Sequence, residues 1–450
     1  MDGDRLLSKK EKTGLVLLLI VALAFGGLVV KRAAFMQRRM TDVDCYLRAA
    51  WAVRTGQDLY EILDPNDWHY NYPPLFAILM TPLADPPSGA DRTGMLPFSI
   101  SVAIWYVVSL GCLGLGVHGL AGAIERTSPN PQVREQRAFC RRWWALRIVP
   151  ILACLLPIGH TLMRGQVNLL LLALLCGMAA ATLRGRSLLA GGCLAGAICL
   201  KVFPAFLLLF PVWRRDVRCL AGCALGLLVG VALVPTLVFG PARTVQYYEK
   251  YARVLLGPAL GLGQDQSRAK EMIETTANDS QSLQAALHNT LHPIRAERPA
   301  QPTALVRWVP RIVGGLLTLL TLTAAGWQKS DSGPSVTLFL GALVINMLIL
   351  SPVCHMHYFS LCVVIVLGLI SARWESYQSG LGIGLMIIFV VNILCYIPPN
   401  IPGWLILRDW AITLYPTLML WTAGIMTLWK RSRAGFSSQV PDVPRPSLAA

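Results

Sequence analysis

The chain alternates long apolar runs with short polar breaks, and the first break is the richest in chemistry. Apolar runs at 14–30, 97–123, 146–163, 167–183, 188–200, 202–213, 218–238, 306–327, 335–351, 358–372, 380–397 and 410–428 each predict a membrane helix. A helix of roughly 20 apolar residues crosses a hydrocarbon core of about 30 Å. The pattern therefore predicts an all-α polytopic bundle of about 12 transmembrane helices. The break at 31–74 contains TDVDCYLRAAWAVRTGQDLYEILDPNDWHYNYPPL, starting at Thr41 and ending at Leu75. Two carboxylates, Asp42 and Asp44, precede apolar positions at helical spacing (Tyr46, Ala49, Ala50, Val53). Tyr72-Pro73-Pro74 then ends that pattern, because a proline ring blocks continuation of a helix. The next run, Leu75–Ala84, is too short to span and is expected to lie on the outer face or re-enter.

The polar breaks also set an orientation. Arg5, Lys9, Lys10 and Lys12 precede the first run, and Arg126, Arg134, Arg137, Arg141 and Arg142 follow the second. Arg184 and Arg186, then Arg214, Arg215 and Arg218, then Lys329, Arg373, Lys430, Arg431 and Arg433 fall at later turns. Basic residues concentrate in cytoplasmic loops. Placing all of these inside leaves four pieces outside: 31–74, the turn His160–Asn168, the long loop 239–305 and the turn Ser351–Tyr358. It also requires 188–213 to be a hairpin turning near Lys201. A single span there would leave Lys201 mid-bilayer at about 2.5–3.5 kcal/mol and separate the flanking arginine clusters.

The organisation expected is one membrane domain over 1–434, with a polar first outer loop at 31–74 and a long outer loop at 239–305. A Ser- and Pro-rich tail at 435–450 is expected to be disordered and cytoplasmic. The run from Gly14 to Val30 is long for a cleavable signal and reads as a retained anchor. The location expected is the plasma (inner) membrane, multi-pass, with the active site facing the periplasm or exterior.

Composition sharpens this picture. The 450 residues are 54% hydrophobic and 14% charged, with a mean hydropathy of +0.53, whereas soluble domains carry about 25% charged residues. The net charge of +16 is then read as loop asymmetry, not as a nucleic-acid surface. The 12 cysteines fall mostly inside apolar runs without CxxC spacing. They are packing residues, and neither a disulfide framework nor a zinc site is supported.

The candidate chemistry lies in the outer pieces. Asp42 and Asp44 are candidate catalytic carboxylates, or Thr41 or Asp42 caps the helix running to Thr55, and capping and catalysis are compatible. Arg164, Gln166 and Asn168, between two runs, are either a helix end with a snorkelling arginine or a donor cluster for a phosphate or sugar. Lys201 in CLKVFP needs an anionic partner if buried, or else reaches to the interface. His355 and His357 follow Pro352 at a helix end, where they are structural or part of the site. No third and fourth ligand at suitable spacing supports zinc.

Five segments in order, DVDCYLRAAWAVRTGQDLY, YPPLFAILMTPLA, RGQVNLLLLAL, AGGCLAGAICLKVFPAFLLL and SPVCHMHYF, resemble the landmarks of glycosyltransferase family 87. That group comprises polyprenol-phosphate-mannose-dependent mannosyltransferases. The resemblance implies the type C glycosyltransferase fold, with an amphipathic first outer loop carrying a catalytic Asp. It aligns that Asp with Asp42 and leaves Asp44 as an extra acid. It aligns the GQxN signature with Gly165, Gln166 and Asn168, and a Lys-x-aromatic-Pro signature with Lys201, Phe203 and Pro204. The family's Ser-Pro and paired His match Ser351, Pro352 and His357, but Tyr358 stands at the second His and His355 where Trp is frequent. A family-like Asn-Gln-Ser-Leu is interrupted here, leaving Asn278, Gln281 and Ser282 as outer-loop substrate contacts.

The resemblance implies an inverting transfer of a sugar, mannose by likeness, from a polyprenyl-phosphate donor to a hydroxyl of a glycan or glycolipid. Asp42 serves as general base, with Asp44 and His357 beside it. Arg164, Gln166, Asn168, Lys201, His355, Tyr46 and Tyr72 bind the donor and its phosphate. No cofactor is expected beyond the lipid-linked donor, and no metal. The bilayer and the two substrates are the expected partners, and nucleic acid is not. Asp44 as covalent nucleophile is a variant. A transporter or flippase of a polyprenyl-linked or anionic solute is the alternative class, which predicts inverted repeats with interrupted helices. An inactive scaffold would have no use for Asp42.

Overall fold

The computed structural model describes residues 6–32, 41–65, 67–128, 131–135, 138–260, 265, 267–268, 271, 280–299, 301–326, 332–375, 404 and 406–437. These form an all-helical bundle. The elements used below are α1 (Lys9–Val30), α2 (Thr41–Thr55), α3 (Pro74–Met80), α4 (Phe98–Arg126), α5 (Arg141–Ala153), α6 (Leu155–Arg164), α7 (Asn168–Leu183) and α8 (Ser187–Leu200). They continue with α9 (Leu209–Trp213), α10 (Val217–Phe239), α11 (Pro241–Tyr251), α12 (Leu283–Leu291), α13 (Ala304–Ala325), α14 (Gly333–Leu350), α15 (Met356–Arg373) and α16 (Leu414–Ser437).

Among the described residues, six helices (α1, α4, α10, α13, α14 and α15) are long and apolar enough to cross a membrane. A seventh crossing results if α5 and α6, bent by 65°, count as one span. Pro150 and Pro157 flank that break, each removing a backbone donor from the ladder. The expected runs 167–183, 188–200 and 202–213 are shorter helices, most of 410–428 falls within the 24-residue α16, and 380–397 lies outside the described residues. The protein is a multi-pass membrane protein.

Local sequence sets where helices begin. Ser8 and Glu11 form a reciprocal capping box on α1. Asp216, Thr303 and Ser332 accept from the first turns of α10, α13 and α14. Burial then sorts the helices. In its apolar window α14 is 94% buried and α1 only 12%, so α14 is the central post and α1 faces lipid.

The two ends of the bundle are chemically distinct. At one end Arg141 pairs with Glu11 at 2.7 Å, Ser187 donates to Asp216 at 2.8 Å, and Trp213 donates to the Gly326 carbonyl. Arg431 reaches Ser332 and Ser335 there as well. The expected cytoplasmic arginines among the described residues gather at this basic end. The opposite end carries Asp42, Arg164, Lys201 and His357.

The Ser187–Asp216 bond brings the start of α8 back to the start of α10, so the chain turns at Lys201, as a hairpin requires. Neither limb crosses, however. α8 runs alongside α10 through facing small residues. A Cβ at Gly222 would strike the Leu188 backbone, at Gly226 the Ala195 side chain, and at Gly230 the Cys199 sulfur. Cys199 is thus level with Gly230, nine residues before the end of α10, or about 13 Å at 1.5 Å per residue. Lys201 therefore turns inside the bundle, not at its rim.

The stretch 239–305, expected as a loop, carries α11 and α12. α11 lies on the first polar segment, where Tyr247 donates to the Gln57 carbonyl and Lys250 pairs with Asp58 at 3.0 Å. α16 runs on to Ser437, into the stretch expected as a tail.

Candidate active site

Asp42 and Asp44 occupy the first turn of α2. Two positions correspond to about 200° around a helix, so they face opposite ways. Asp42 faces α6, where its Oδ2 accepts from Arg164 Nε at 3.0 Å. Asp44 is buried on the other face with Arg48 one turn on, and Arg48 approaches Asp85 at 3.9 Å. The two acids serve different surroundings.

The Asp42–Arg164 contact depends on the turn between α6 and α7. Gly165 ends α6 at φ +68°, a left-handed conformation that side chains avoid. A Cβ there would also sit 2.6 Å from Val43 Cβ. The Gly165 carbonyl accepts from Trp105 Nε1 at 2.7 Å, fastening the turn to α4. Only glycine lets the turn lie flat against α2 between the two acids. Gly165→Ala is expected to cost about 2–4 kcal/mol from conformational strain plus overlap. Thermal unfolding of the purified protein checks this, and Val43→Ala, which keeps the Cβ that the new methyl strikes, should recover little of the loss. An unchanged melting temperature would contradict the packing described.

Past Gly165 the chain builds a polar pocket around Lys201, which is 5% exposed. Its Nζ donates to Gln166 Oε1 at 3.1 Å and Asn168 Oδ1 at 3.0 Å. It lies 4.4 Å from the Tyr358 ring centroid and 5.2 Å from that of Tyr72. Among the described residues no carboxylate forms an ion pair with it. Burying an ammonium costs several kcal/mol after relaxation, and amide oxygens and π faces offset only part of that. Among the described residues the pocket thus holds a cation without a paired carboxylate.

The walls are aromatic. The hydroxyls of Tyr46 and Tyr72 are 2.9 Å apart, and that of Tyr46 is 3.2 Å from Gln166 Oε1. Burial holds both phenols well above their ordinary range, so they remain protonated. Asn168 also donates to the His357 carbonyl at 3.1 Å, tying α7, the Lys201 turn and the start of α15 together. The ring of His357 is 1% exposed. It stacks on His160, His355 and Tyr358 at centroid distances of 5.8, 5.4 and 4.8 Å. Neither of its ring nitrogens has a hydrogen-bond partner among the described residues.

The structure thus brings together Asp42, Arg164, Gln166, Asn168, Lys201, Tyr46, Tyr72, His355 and His357. Gln281 and Ser282 lie nearby but are engaged structurally. Gln281 Oε1 accepts from Thr413 at 2.7 Å, and Ser282 donates to the Pro352 carbonyl at 2.9 Å while capping α12. Asn278 lies outside the described residues. Sequence reasoning missed Trp105, an aromatic inside an apolar run, and His160. It also missed Glu271, whose partners are 200 residues away in the chain. Among the described residues no three His, Cys, Asp or Glu side chains are grouped to hold a metal ion.

Residues 70–352 match glycosyltransferase family 87. The matched stretch contains Tyr72, Arg164, Gln166, Asn168 and Lys201, while Asp42 and His357 flank it. No curated protein matches the sequence. Among solved structures, the crystal structure of ArnT from Cupriavidus metallidurans bound to undecaprenyl phosphate is similar at a TM-score of 0.36 and 14% identity. That likeness covers 94% of this chain and 79% of that one and is too slight to carry an argument.

Proposed function

The chain belongs to glycosyltransferase family 87 and is a membrane glycosyltransferase; we propose that it transfers a sugar, mannose by family likeness, from a polyprenyl-phosphate donor to an acceptor hydroxyl. The observation that carries this reading is a buried Lys201 with no carboxylate ion pair among the described residues, set at the same end of the bundle as the Asp42–Arg164 pair. The donor phosphate fills the anion site, completing the coordination of an ammonium that amides and ring faces contact among the described residues. The family's type C fold is the architecture that fits this placement.

The proposed reaction is a single displacement. The acceptor hydroxyl gives its proton to Asp42 as its oxygen attacks the anomeric carbon. The bond from that carbon to the phosphate oxygen breaks, and polyprenyl phosphate leaves with the electron pair. Lys201 meets the charge that grows on the leaving oxygen, held in advance by Gln166 and Asn168 so that little reorganisation is needed. Arg164 aims the Asp42 carboxylate. Because Asp44 faces the opposite side of α2, the single-displacement, inverting course is favoured over a second carboxylate as nucleophile.

The arginine-rich end of the bundle supports a cytoplasmic placement of that end by charge, and with it a site on the far side of the plasma membrane. An introduced Cys at Gln57 should then react with an impermeant reagent on intact cells, and one at Arg186 should not. The reverse labelling would contradict this orientation. For the donor, purified protein in nanodiscs should transfer label from polyprenyl-phosphate [14C]mannose and not from a nucleotide-linked [14C]mannose. Transfer from the nucleotide sugar alone would overturn the reading.

A further inference from the structure

A carboxylate far along the chain holds the front wall of the Lys201 pocket in place. Glu271 belongs to the segment following α11, about 200 residues from the first polar segment. One of its oxygens accepts from the His69 backbone N–H at 3.1 Å and from Asn71 Nδ2 at 3.0 Å, and the other lies 2.7 Å from His69 Nδ1. Its side chain is only 11% exposed, with Arg268 at 3.8 Å. Arg268 in turn donates to the Tyr60 carbonyl. Three donors from a three-residue strip thus converge on one carboxylate. Charge-assisted bonds of this kind are about twice as strong as neutral ones.

The strip is a wall of the site. From the inside, Cys45 donates to the His69 carbonyl at 3.1 Å, and Tyr70 donates to Pro73 at 2.8 Å. Tyr72, one residue beyond Asn71, presents its ring to Lys201 and its hydroxyl to Tyr46. Tyr60 donates to the Tyr72 carbonyl at 3.1 Å, and Glu271 braces the strip at His69 and Asn71. The Asp42–Arg164 pair, by contrast, is seated by Gly165 and Trp105.

We infer that Glu271 is a positioning residue for donor binding, acting through the 69–72 strip to hold Tyr72 against Lys201. The inference rests on the reading of the Lys201 pocket as the seat of the donor phosphate. It assigns Glu271 to affinity for the lipid-linked donor and not to the proton-transfer step. An interaction made equally in ground and transition state changes KM and leaves kcat.

The test is a double-mutant cycle on the full chain in nanodiscs, with polyprenyl-phosphate [14C]mannose as varied substrate. Glu271→Ala should raise its KM about tenfold and leave kcat within twofold. In a Tyr72→Ala background, where the wall is already gone, adding Glu271→Ala should change KM by less than twofold. Interaction through a shared element is what makes such effects non-additive. If Glu271→Ala does not fold, Glu271→Gln keeps the volume and one acceptor oxygen and should raise KM about threefold, again only when Tyr72 is present. Multiplicative KM effects, or a fall in kcat at unchanged KM, would overturn the inference. Wild-type protein that takes no label from this donor would instead remove the donor reading itself.

Discussion

Asp42→Asn is expected to reduce sugar transfer about 10³-fold, within the range that a positioned general base contributes, while the KM for the lipid-linked donor changes by less than threefold. Asparagine has the same shape, and its side-chain oxygen still accepts from Arg164, so α2 and the α6–α7 turn stay joined. What is lost is the group that takes the acceptor's proton. Lys201, Gln166 and Asn168 are untouched, so the donor still binds. Asp44→Asn, on the opposite face of α2 beside Arg48, should retain transfer within tenfold of wild type. Initial rates from polyprenyl-phosphate [14C]mannose measure both. Equal losses in the two variants would mean that α2 matters for folding and that neither acid is the base.

Lys201→Met is the second large effect. Methionine matches the length of the side chain but carries no charge, and it removes the lysine donor from Asn168 Oδ1 and from Gln166 Oε1, which keeps the Tyr46 hydroxyl. Losing a fixed cation at a developing phosphate charge should lower kcat/KM about 10²–10³-fold. A second readout separates this from misfolding. Free polyprenyl phosphate, the product, should inhibit the wild type competitively against the donor and should no longer do so in the variant. Lys201→Arg should not restore activity. The two amide oxygens at 3.1 and 3.0 Å converge on a compact ammonium, whereas a guanidinium spreads its donors over a planar fork. Full activity of Lys201→Arg would mean that the pocket is looser than these distances require.

Several of these residues were legible in the sequence. Asp42 stood out because an acid at the edge of an apolar run is costly, and Lys201 stood out for the same reason inside one. The helices announced themselves by apolar length and by caps such as Ser8 with Glu11. Depth was harder to read. The apolar character of 188–213 gives no sign that α8 stops about two-thirds of the way along α10. That follows from glycines at 191, 222, 226 and 230, which look like ordinary small residues until their partners are known. Pairings across the chain were equally hidden. Arg164 meets Asp42, and Glu271 meets His69 and Asn71, through contacts spanning 122 and about 200 residues. The opposite directions of Asp42 and Asp44 needed only the helix period once α2 was placed, but the helix start at Thr41 was not marked clearly enough to use it. The long segment 239–305 read as a loop because its polar residues are mixed, while α11 inside it packs its apolar face on Tyr60.

The central claim is that a lipid phosphate sits on Lys201 at the end of the bundle that holds Asp42. A cryo-EM structure of the protein in nanodiscs with polyprenyl phosphate tests it most directly. The account predicts phosphate density within hydrogen-bonding distance of Lys201 Nζ, between the Tyr72 and Tyr358 rings, with its open side toward Asp42. Phosphate density among the arginines of the opposite end, with the Lys201 pocket filled only by protein, would contradict it.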